Sequence, residues 1–216
     1  VTAHAAEPQW VTYEPKAGPG AGKHIVLVSG DEEYRSEEGL PMLGKLLAQR
    51  HGFKCTVLFA IDPATGEINP NFGKNIPGTE ALNTADLMII LTRFRSLPDE
   101  QMKPIDDFLK AGKPVIGLRT ASHAFENWKA WDHDVLGGNY QMHHANQLAT
   151  TVRVVPEAAK HPILAGVAAE FPSAGSLYRN TPLAPGTQVL LTGSVAGQPP
   201  EPVAWTHTHR GPVFYT

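Results

Sequence analysis

The sequence predicts an α/β fold in which helices cover both faces of a doubly wound, mainly parallel sheet of the flavodoxin-like kind. Three short apolar runs, at residues 24–30, 86–91 and 114–117, are each typical of a strand buried on both faces. Polar residues follow each run, directly or after one apolar residue, at the point where the strand ends. In an open parallel sheet that edge binds ligands, so we expect the functional site there.

The first unit combines the strand at 24–30 with a polar loop at 31–38 and a helix. Leucines at helical spacing follow the loop. Because proline is tolerated only in the first turn of a helix, Pro41 places the predicted start near Glu38. Gly52 suits the left-handed position that ends such a helix.

The next units are predicted from similar signals. A strand at 54–60 is followed by the Pro/Gly/Asn-rich segment 62–79, whose length is typical of functional or mobile loops and which could fold over the strand ends. After the strand at 86–91, Pro98 suits the first turn of a helix that Gly112 ends.

The central stretch 114–125 joins a buried strand to a cluster of polar residues where another helix should begin. Polar side chains are costly to bury without partners, so we expect them to face a crevice or a hydrogen-bonded network. The cluster consists of Arg119, Thr120, Ser122 and His123.

Beyond residue 125 the pattern becomes irregular. Strands are predicted at 150–155 and 188–191, and a hairpin is predicted to pair 202–206 with 213–215. Because the last apolar run stops within a strand at Thr216, we expect that further elements follow in the natural chain. Residues 24–216 are predicted to form a single domain with one core.

Composition and charge narrow the class of partner. The net charge is −3 and the 18 basic residues are scattered, so the sequence shows no cluster of positive charge of the kind that binds nucleic acid. No run reaches the roughly eighteen apolar residues of a membrane span. We therefore expect a small, neutral or weakly charged ligand, and a homo-oligomer is compatible with these bounds.

Two further signals concern the compartment and the single cysteine. Residues 1–23 are expected to form an extended lead-in, and Ala3-His4-Ala5 fits the small-x-small pattern at which secretory signals are cleaved. This pattern predicts a secreted or periplasmic protein. Cys55 lies inside an apolar run and is predicted to be a core residue, not a nucleophile.

Segments spread over nearly the whole chain carry a family resemblance. They are GDEEYRSEE at 30–38, TRFRSLPDEQ at 92–101, GLRTASHAF at 117–125, LGG at 136–138, HPILAGV at 161–167, PVAWT at 202–206 and VFYT at 213–216. In this order they resemble the trehalose-utilisation, or ThuA-like, family of the class I glutamine amidotransferase-like superfamily. The resemblance implies a flavodoxin-like fold and an association with disaccharide catabolism, and it implies no particular reaction. The family usually continues into a Leu-Gly-His turn, which is absent from this sequence.

The resemblance also excludes one activity. In the amidotransferases the residue two after the glycine of the corresponding strand is a cysteine nucleophile, and here that residue is Arg119. A protonated guanidinium cannot attack a carbonyl carbon, so glutamine amidotransferase activity is not expected. Arg119 suits a carboxylate, a phosphate or vicinal sugar oxygens. The alternative is an arginine that ties loop carbonyls together or pairs with Glu32 or Glu33.

His123 is the candidate for proton transfer in the same stretch. It follows Arg119 by four residues, so the two share a face if an α-helix begins at once. Its imidazole could act as a general acid or base, and a capping or packing histidine is the alternative. Adjacent residues do not face each other on a helix, so Ser122 and His123 are not expected to form a serine-hydrolase pair.

Polar residues after the first and third predicted strands should converge with Arg119 at one edge of the sheet. A carboxylate with several arginines can bind a polyhydroxylated ligand, and a glutamate is available for proton transfer. A solvated loop with internal ion pairs is the alternative. The residues concerned are Glu32, Glu33, Tyr34, Arg35, Arg93 and Arg95.

Aromatic and histidine residues in later loops complete the prediction. Tyr140 and Tyr178 lie in loops that could close over the crevice and stack on a sugar, with core packing as the alternative. The chain has 10 histidines, including His143 and His144, but no His-x-x-x-His or His-Glu-x-x-His spacing. A metal or another cofactor is therefore left undetermined.

Together these features favour a carbohydrate-processing domain that acts by hydrolysis or elimination on a disaccharide or keto-sugar. The predicted catalytic residues are Glu33, Arg119 and His123, with Arg119 and Arg35 holding oxygens. The predicted substrate-binding residues are Glu32, Tyr34, Arg35, Arg93, Arg95, Tyr140, His143, His144 and Tyr178. The rival hypotheses are a non-catalytic sugar-binding module and a metal-dependent hydrolase that uses His143.

Overall fold

The computed structural model describes residues 8–216, which form a ten-stranded mixed sheet, a separate two-stranded sheet and two α-helices. The helices are α1 (Ser36–His51) and α2 (Asp99–Lys110). The strands are β1 (Trp10–Tyr13), β2 (His24–Gly30), β3 (Lys54–Leu58), β4 (Leu87–Thr92), β5 (Val115–Gly117), β6 (Met142–His143), β7 (Thr150–Val154), β8 (Glu170–Ser173), β9 (Tyr178–Arg179), β10 (Gln188–Ser194), β11 (Glu201–His209) and β12 (Gly211–Tyr215).

The large sheet is parallel at its centre and antiparallel towards both edges. Its strand order is β1-β3-β2-β4-β5-β12-β11-β10-β7-β8, and the five strands from β3 to β12 run parallel to one another. Numbered along the chain, these five have the order 2-1-3-4-5, which is the order of a flavodoxin-like sheet. The α/β class is confirmed, while the sheet as a whole is mixed and not mainly parallel.

Helices are fewer than the prediction of a doubly wound sheet requires. Within residues 8–216 only α1 and α2 are α-helices, and the other helical segments are 3₁₀ or π segments of three to six residues. The reason lies in the connections. Antiparallel strands such as β10, β11 and β12 are joined by short turns, whereas each parallel crossover needs a longer connection, usually a helix.

The start of α1 differs from the prediction by two residues. The hydroxyl of Ser36 accepts the backbone N–H of Asp31 at 2.8 Å and fixes the first residue of the helix. Pro41 therefore falls beyond the first turn, where its missing N–H leaves the helix one hydrogen bond short. Gly52 ends the helix in the left-handed conformation, with φ of 78°, as predicted.

The parallel strands separate two hydrophobic clusters. Along β2, Val26 and Val28 belong to one cluster, which also contains α2 residues, and Ile25 and Leu27 belong to the other, which contains α1 residues. This alternation follows from the two-residue period of a strand. Cys55 is fully buried in the second cluster, and burial raises the pKa of its thiol to about 11, so the prediction of a core cysteine is confirmed.

The predicted strands of the second half are present, and β10 and β11 are longer than expected. The sequence pattern did not indicate β1, which lies in the predicted lead-in and pairs antiparallel with β3, or the edge strand β8. Ala3-His4-Ala5 lies outside the described residues. No helix within residues 8–216 has the length and apolar character needed to cross a bilayer.

Candidate functional site

Three loops that are remote in sequence meet at the carboxyl ends of β2, β4 and β5. Arg93 and Arg95 after β4 pair with Glu32 after β2. Arg119 after β5 donates to the hydroxyl of Tyr34 at 2.8 Å. The predicted convergence is therefore confirmed. We call the surface formed by Glu33, Tyr34, Arg93, Phe94, Arg119, His123, Tyr140 and Tyr178 the crevice.

Asp31 holds two of these loops together, although it was not among the predicted site residues. Its buried carboxylate accepts the backbone N–H groups of Glu33 and Tyr34, both at 2.6 Å, through one oxygen. The hydroxyl of Thr120, after β5, donates to the other oxygen. Both oxygens are thus engaged in positioning the loops, and Asp31 is not available to a ligand.

Glu32 and Arg95 form the internal ion pair that was the alternative to a ligand-binding role. Arg95 is 3% exposed, and its Nη2 lies 2.6 Å from Glu32 Oε2. Its Nη1 donates to the carbonyl oxygens of Pro70 and Phe72, so the long segment 62–79 is tied to the edge of the sheet. The other Glu32 oxygen accepts from Arg93. Glu32 and Arg95 therefore support the crevice from below and do not face a substrate.

Glu33 is the carboxylate that remains accessible. Its side chain is 46% exposed, and its Oε2 lies 3.1 Å from Arg93 Nε. The N–H of Arg93 Nε is not directed at that oxygen, so the contact is an ion pair without a hydrogen bond. The Arg93 guanidinium also lies 4.7 Å from the ring centroid of Phe94. Glu33 thus keeps its lone pairs free beside a fixed positive charge.

Arg119 occupies a tight turn between β5 and a 3₁₀-helix at Arg119–His123. Its backbone has a φ of 41°, a left-handed conformation that side-chain-bearing residues rarely adopt. Two backbone contacts hold it: its N–H donates to the Thr216 carbonyl at 2.7 Å, and its carbonyl accepts the Tyr215 hydroxyl at 2.5 Å. This strained turn lies two residues after Gly117, at the position of the amidotransferase nucleophile, and presents a guanidinium.

The Arg119 guanidinium lies between two aromatic rings. Its central carbon is 4.5 Å from the Tyr34 centroid and 4.3 Å from the Tyr178 centroid. Its Nη2 also donates to the Ser176 hydroxyl at 3.1 Å, while its Nε is buried and has no partner among the described residues. Arg119 does not pair with Glu32 or Glu33, but its Nη2 also lies 3.3 Å from the Ser176 carbonyl, so the alternative of a contact with loop carbonyls is supported in part.

His123 is central to the crevice. Its ring stacks on Tyr140 at 4.4 Å between centroids and lies 4.9 Å from Phe94 and 6.0 Å from Tyr178. Burial, helped by the charges of Arg93 and Arg119, lowers its pKa to about 4. His123 is therefore neutral at neutral pH, which suits a hydrogen-bonding or weakly basic role and not that of a general acid.

The 3₁₀ geometry overturns two arguments from helical spacing. The Ser122 hydroxyl and His123 Nδ1 lie 3.0 Å apart, so the expectation that these neighbours do not meet is wrong. Residues three apart, not four, are eclipsed in a 3₁₀-helix, so Arg119 and His123 share no helix face. They belong to one site because both contact Tyr178.

The rings of Tyr140 and Tyr178 line the crevice, and Tyr178 is only 6% exposed, which favours the core-packing alternative for that residue. Tyr140 and Tyr178 lie 4.6 Å apart, and pairing of β6 with β9 positions them. The His143 ring is 6.3 Å from Tyr178, at the rim. His144 joins this region through its backbone, whose N–H donates to Leu177. Arg35 pairs with Glu38 on the exposed surface of α1, and among the described contacts none joins it to the crevice.

The histidines are dispersed. Over residues 8–216, no group of three or more His, Cys, Asp or Glu side chains is arranged to hold a metal ion. His143 Nδ1 lies 2.8 Å from the His144 carbonyl, and His207 Nδ1 lies 2.9 Å from the Thr187 hydroxyl. The metal-dependent hypothesis therefore gains no ligand set from the described part of the chain.

Asp132 is a site residue that the sequence reasoning missed. It lines a small cavity of about 170 Å³ together with Ser122, His123 and Tyr140. Its Oδ2 accepts the Tyr140 backbone N–H at 2.6 Å, and burial raises its pKa to about 6. A Cβ at Gly138 would lie 2.2 Å from Asp132 Oδ1. The Gly-Gly pair at 137–138 was the available signal, because it marks a close approach of backbone to this carboxyl.

Comparisons with known proteins agree with the fold. No curated protein matches the sequence. A solved ThuA-like protein from Bacteroides uniformis aligns with a TM-score of 0.66 at 17% identity, over 93% of this chain and 82% of its own. Another from Parabacteroides merdae aligns with a TM-score of 0.60 at 12% identity, over 90% and 78%. Identities this low show a shared fold alone. The family model described as ThuA, trehalose utilisation, matches residues 25–216, and the chain therefore belongs to that family.

Proposed function

We propose that this chain is a carbohydrate-processing domain that binds a sugar in the crevice and acts on it by hydrolysis or elimination. The observation that supports this most is the mixture of aromatic rings, guanidinium groups and one accessible carboxylate in one place. Tyr34 and Phe94 are 38% and 44% exposed, although both are large hydrophobic side chains. Exposed rings beside charged hydrogen-bonding groups are suited to a ligand with both C–H faces and hydroxyls.

The contacts of each group suggest its role. Glu33 would move the proton, since both oxygens of Glu32 are occupied by arginines. Arg93 and Arg119 would hold substrate oxygens. His123, neutral because its pKa is about 4, would accept a hydrogen bond from a sugar hydroxyl. Arg35, which faces away and pairs with Glu38, has no role in this proposal.

Among the two reaction types, the crevice favours elimination. Glycoside hydrolysis generally uses two carboxyl groups, one of them as acid and the other as base or nucleophile. Here both oxygens of Glu32 are paired with arginines, and the accessible carboxylate of the crevice is that of Glu33. In a keto-sugar, Glu33 would remove the proton next to the carbonyl, a guanidinium would stabilise the oxyanion, and the glycosidic oxygen would leave with its electron pair.

A sugar-binding module without turnover is the second candidate. The same observation supports it, because a single accessible carboxylate and a neutral histidine of low basicity provide little acid–base chemistry. This candidate predicts saturable binding and ligand-induced stabilisation without product. The two candidates share the crevice and differ only in turnover.

The experiment compares the wild-type protein with Glu33→Gln, Arg119→Ala and the control Arg35→Ala on disaccharides and their keto derivatives. Calorimetry would measure binding and chromatography would measure products. We expect Glu33→Gln to bind normally and to lose about 100-fold or more in turnover, as for a missing general base. Arg119→Ala should weaken binding, and Arg35→Ala should match the wild type.

Three outcomes separate the hypotheses. Equal turnover in the wild type and Glu33→Gln would overturn the assignment of Glu33. Wild-type binding without any product would favour the binding module. If no sugar of the panel binds, the proposal for the crevice is wrong.

We also propose that the protein is secreted or periplasmic. The support is the small-x-small pattern of Ala3-His4-Ala5 at the beginning of the sequence. Cell fractionation with a compartment marker would test this, and recovery of the protein with the cytoplasmic marker would contradict it.

A further inference from the structure

A larger pocket than the small cavity beside His123 lies on the antiparallel part of the sheet. It has a volume of about 340 Å³ and is walled by residues of β7, β8, β10 and β11 and by the loop 175–178. It shares Arg119 and Tyr178 with the crevice, but His123 and Tyr140 do not line it. We call it the strand pocket. Its volume falls in the range of about 300–1,000 Å³ that small-molecule sites occupy.

The walls of the strand pocket are mostly apolar. Val152 and Leu191 are buried, and Phe171 and Val203 complete the apolar surface. Among the side chains of the described residues that line it, Arg119 is the only one with a formal charge. A ligand of this pocket therefore needs an apolar body and gains from a single negative charge.

Two buried polar atoms of the lining residues have no hydrogen-bond partner within residues 8–216. One is Arg119 Nε, a donor, and the other is Asn180 Oδ1, an acceptor. Asn180 is 1% exposed, and its other groups are engaged: its N–H lies 2.9 Å from Glu201 Oε2, and its Nδ2 lies 3.1 Å from the Pro202 carbonyl. Leaving buried polar atoms unpaired is costly, so a ligand that pairs with both would be favoured.

The backbone beside Arg119 leaves room for such a ligand. A Cβ at Gly175 would lie 3.2 Å from Arg119 Nη1, which is closer than most side-chain contacts. The glycine therefore keeps this side of the guanidinium open, while Nη2 is engaged with Tyr34 and Ser176. A carboxylate approaching from the pocket would meet donors that the protein does not use.

We propose that the strand pocket binds a small apolar monocarboxylate that also carries a hydroxyl or amine donor. The carboxylate accepts from Arg119, the donor pairs with Asn180 Oδ1, and the apolar body contacts Val152 and Leu191. This ligand differs from the sugar proposed for the crevice, because the apolar walls of the strand pocket would leave most sugar hydroxyls unpaired.

The test uses three probes of one shape: 4-hydroxybenzoate, benzoate and 4-hydroxybenzamide. Calorimetry on the wild-type protein measures their affinities, and a crystal soaked with the best probe shows its position. We expect 4-hydroxybenzoate to bind most tightly. Benzoate, which lacks the donor, and the amide, which lacks the charge, should each bind about tenfold or more weakly, as expected for one lost hydrogen bond to a buried group.

Matched variants test whether the probe binds in the strand pocket. Val152→Phe fills the pocket and should abolish binding of 4-hydroxybenzoate. Arg153→Phe puts the same ring on the opposite face of β7, where the side chain of Arg153 is 53% exposed, and should leave binding unchanged. Asn180→Leu should remove the preference for 4-hydroxybenzoate over benzoate.

Several results would overturn the proposal: no saturable binding of 4-hydroxybenzoate at millimolar concentration, equal affinity for the amide, or retained binding in Val152→Phe. If Val152→Phe does not fold, the affinities of the three probes for the wild-type protein still test the proposal. Density for the probe in the crevice would also contradict it. The outcome is independent of sugar turnover, so this proposal and that for the crevice can fail separately.

Discussion

The crevice and the strand pocket meet at Arg119 and are built on opposite principles. In the crevice each arginine contacts a charged or aromatic neighbour: Arg93 pairs with Glu32 below it and lies beside Glu33, and the Arg119 guanidinium lies between two tyrosines. In the strand pocket the walls are apolar and two buried polar atoms lack partners. The crevice is thus held mainly by contacts among its own side chains, whereas the strand pocket contains a buried acceptor, Asn180 Oδ1, that a ligand could pair.

The difference follows from strand direction. Parallel strands all end at the same edge, so their loops converge and bring polar residues together. Antiparallel strands end at alternate edges, and their contribution to a site comes from side chains on one face. The crevice is therefore formed by loops at the ends of parallel strands, whereas the strand pocket is formed mainly by side chains on one face of antiparallel strands.

Among the variants that test this difference between the two sites, Glu32→Gln should have the largest effect on stability. Arg95 is almost completely buried, and the change leaves its charge without a carboxylate. We expect the free energy of unfolding to fall by about 3 kcal/mol, measured by denaturant titration. Glu33→Gln, one residue along and half exposed, should cost less than about 1 kcal/mol. Similar losses in both variants would show that the two glutamates do not have separate roles.

Arg119→Ala should have the next largest effect, since both sites depend on this side chain. The variant loses charge-assisted hydrogen bonds to Tyr34 and Ser176 and the contacts with two rings. We expect a loss of about 2 kcal/mol in unfolding free energy. Arg35→Ala, which removes an exposed arginine from the loop after β2, should change stability by less than about 0.5 kcal/mol. A loss in Arg35→Ala as large as that in Arg119→Ala would contradict this explanation.

Asp132→Asn tests the buried carboxyl next to the crevice through pH. The folded-state pKa of Asp132 is raised from 3.8 to about 6, so its stabilising contribution is complete below pH 3.8 and is lost as the pH rises through 6. The unfolding free energy of Asp132→Asn relative to the wild type should therefore increase by about 2 kcal/mol between pH 4 and pH 7. A difference that does not change with pH would show that the carboxyl is not destabilised by burial.

The smallest expected effect on stability belongs to Tyr140→Leu, which removes the ring stacked on His123. Loss of the stack should cost about 1 kcal/mol. Because burial is the main cause of the low pKa of His123, the variant should raise that pKa from about 4 towards 6.5. Titration of the imidazole by NMR measures this directly. In the wild type, stability should be complete above pH 6.5 and fall towards pH 4, since the unfolded histidine binds its proton first. An unchanged pKa in Tyr140→Leu would mean that Tyr140 does not shield the ring.

The central strands and the convergence of loops could be predicted from the sequence because they depend on local signals. Buried parallel strands give continuous apolar runs, and the polar residues after 30, 92 and 118 mark strand ends. Glu33 and Arg119 lie where these signals placed them. The 3₁₀ turn at Arg119–His123 could not be foreseen, since a left-handed arginine is fixed by long-range contacts with Tyr215 and Thr216.

The direction of individual side chains could not be predicted either. Arg35 lies in the same polar loop as Tyr34, and Arg95 lies in the same polar loop as Arg93. Arg35 nevertheless faces solvent, whereas Arg95 is buried beneath the loops. No periodicity in a loop distinguishes these cases. The strand pocket was missed for a related reason, because Asn180 and Ser176 lie in an irregular stretch and meet Arg119 only through pairing of distant strands.

The position of β12 has a consequence for how the protein folds. It lies between β5 and β11, and about a hundred residues separate Val115 from its partner Val213. Contacts this distant close a long loop and tend to form late. Tyr215, whose hydroxyl holds the Arg119 backbone, belongs to β12, the strand that joins the parallel and antiparallel parts of the sheet. We therefore expect the site to become competent only at the last stage of folding, after both halves of the sheet have formed.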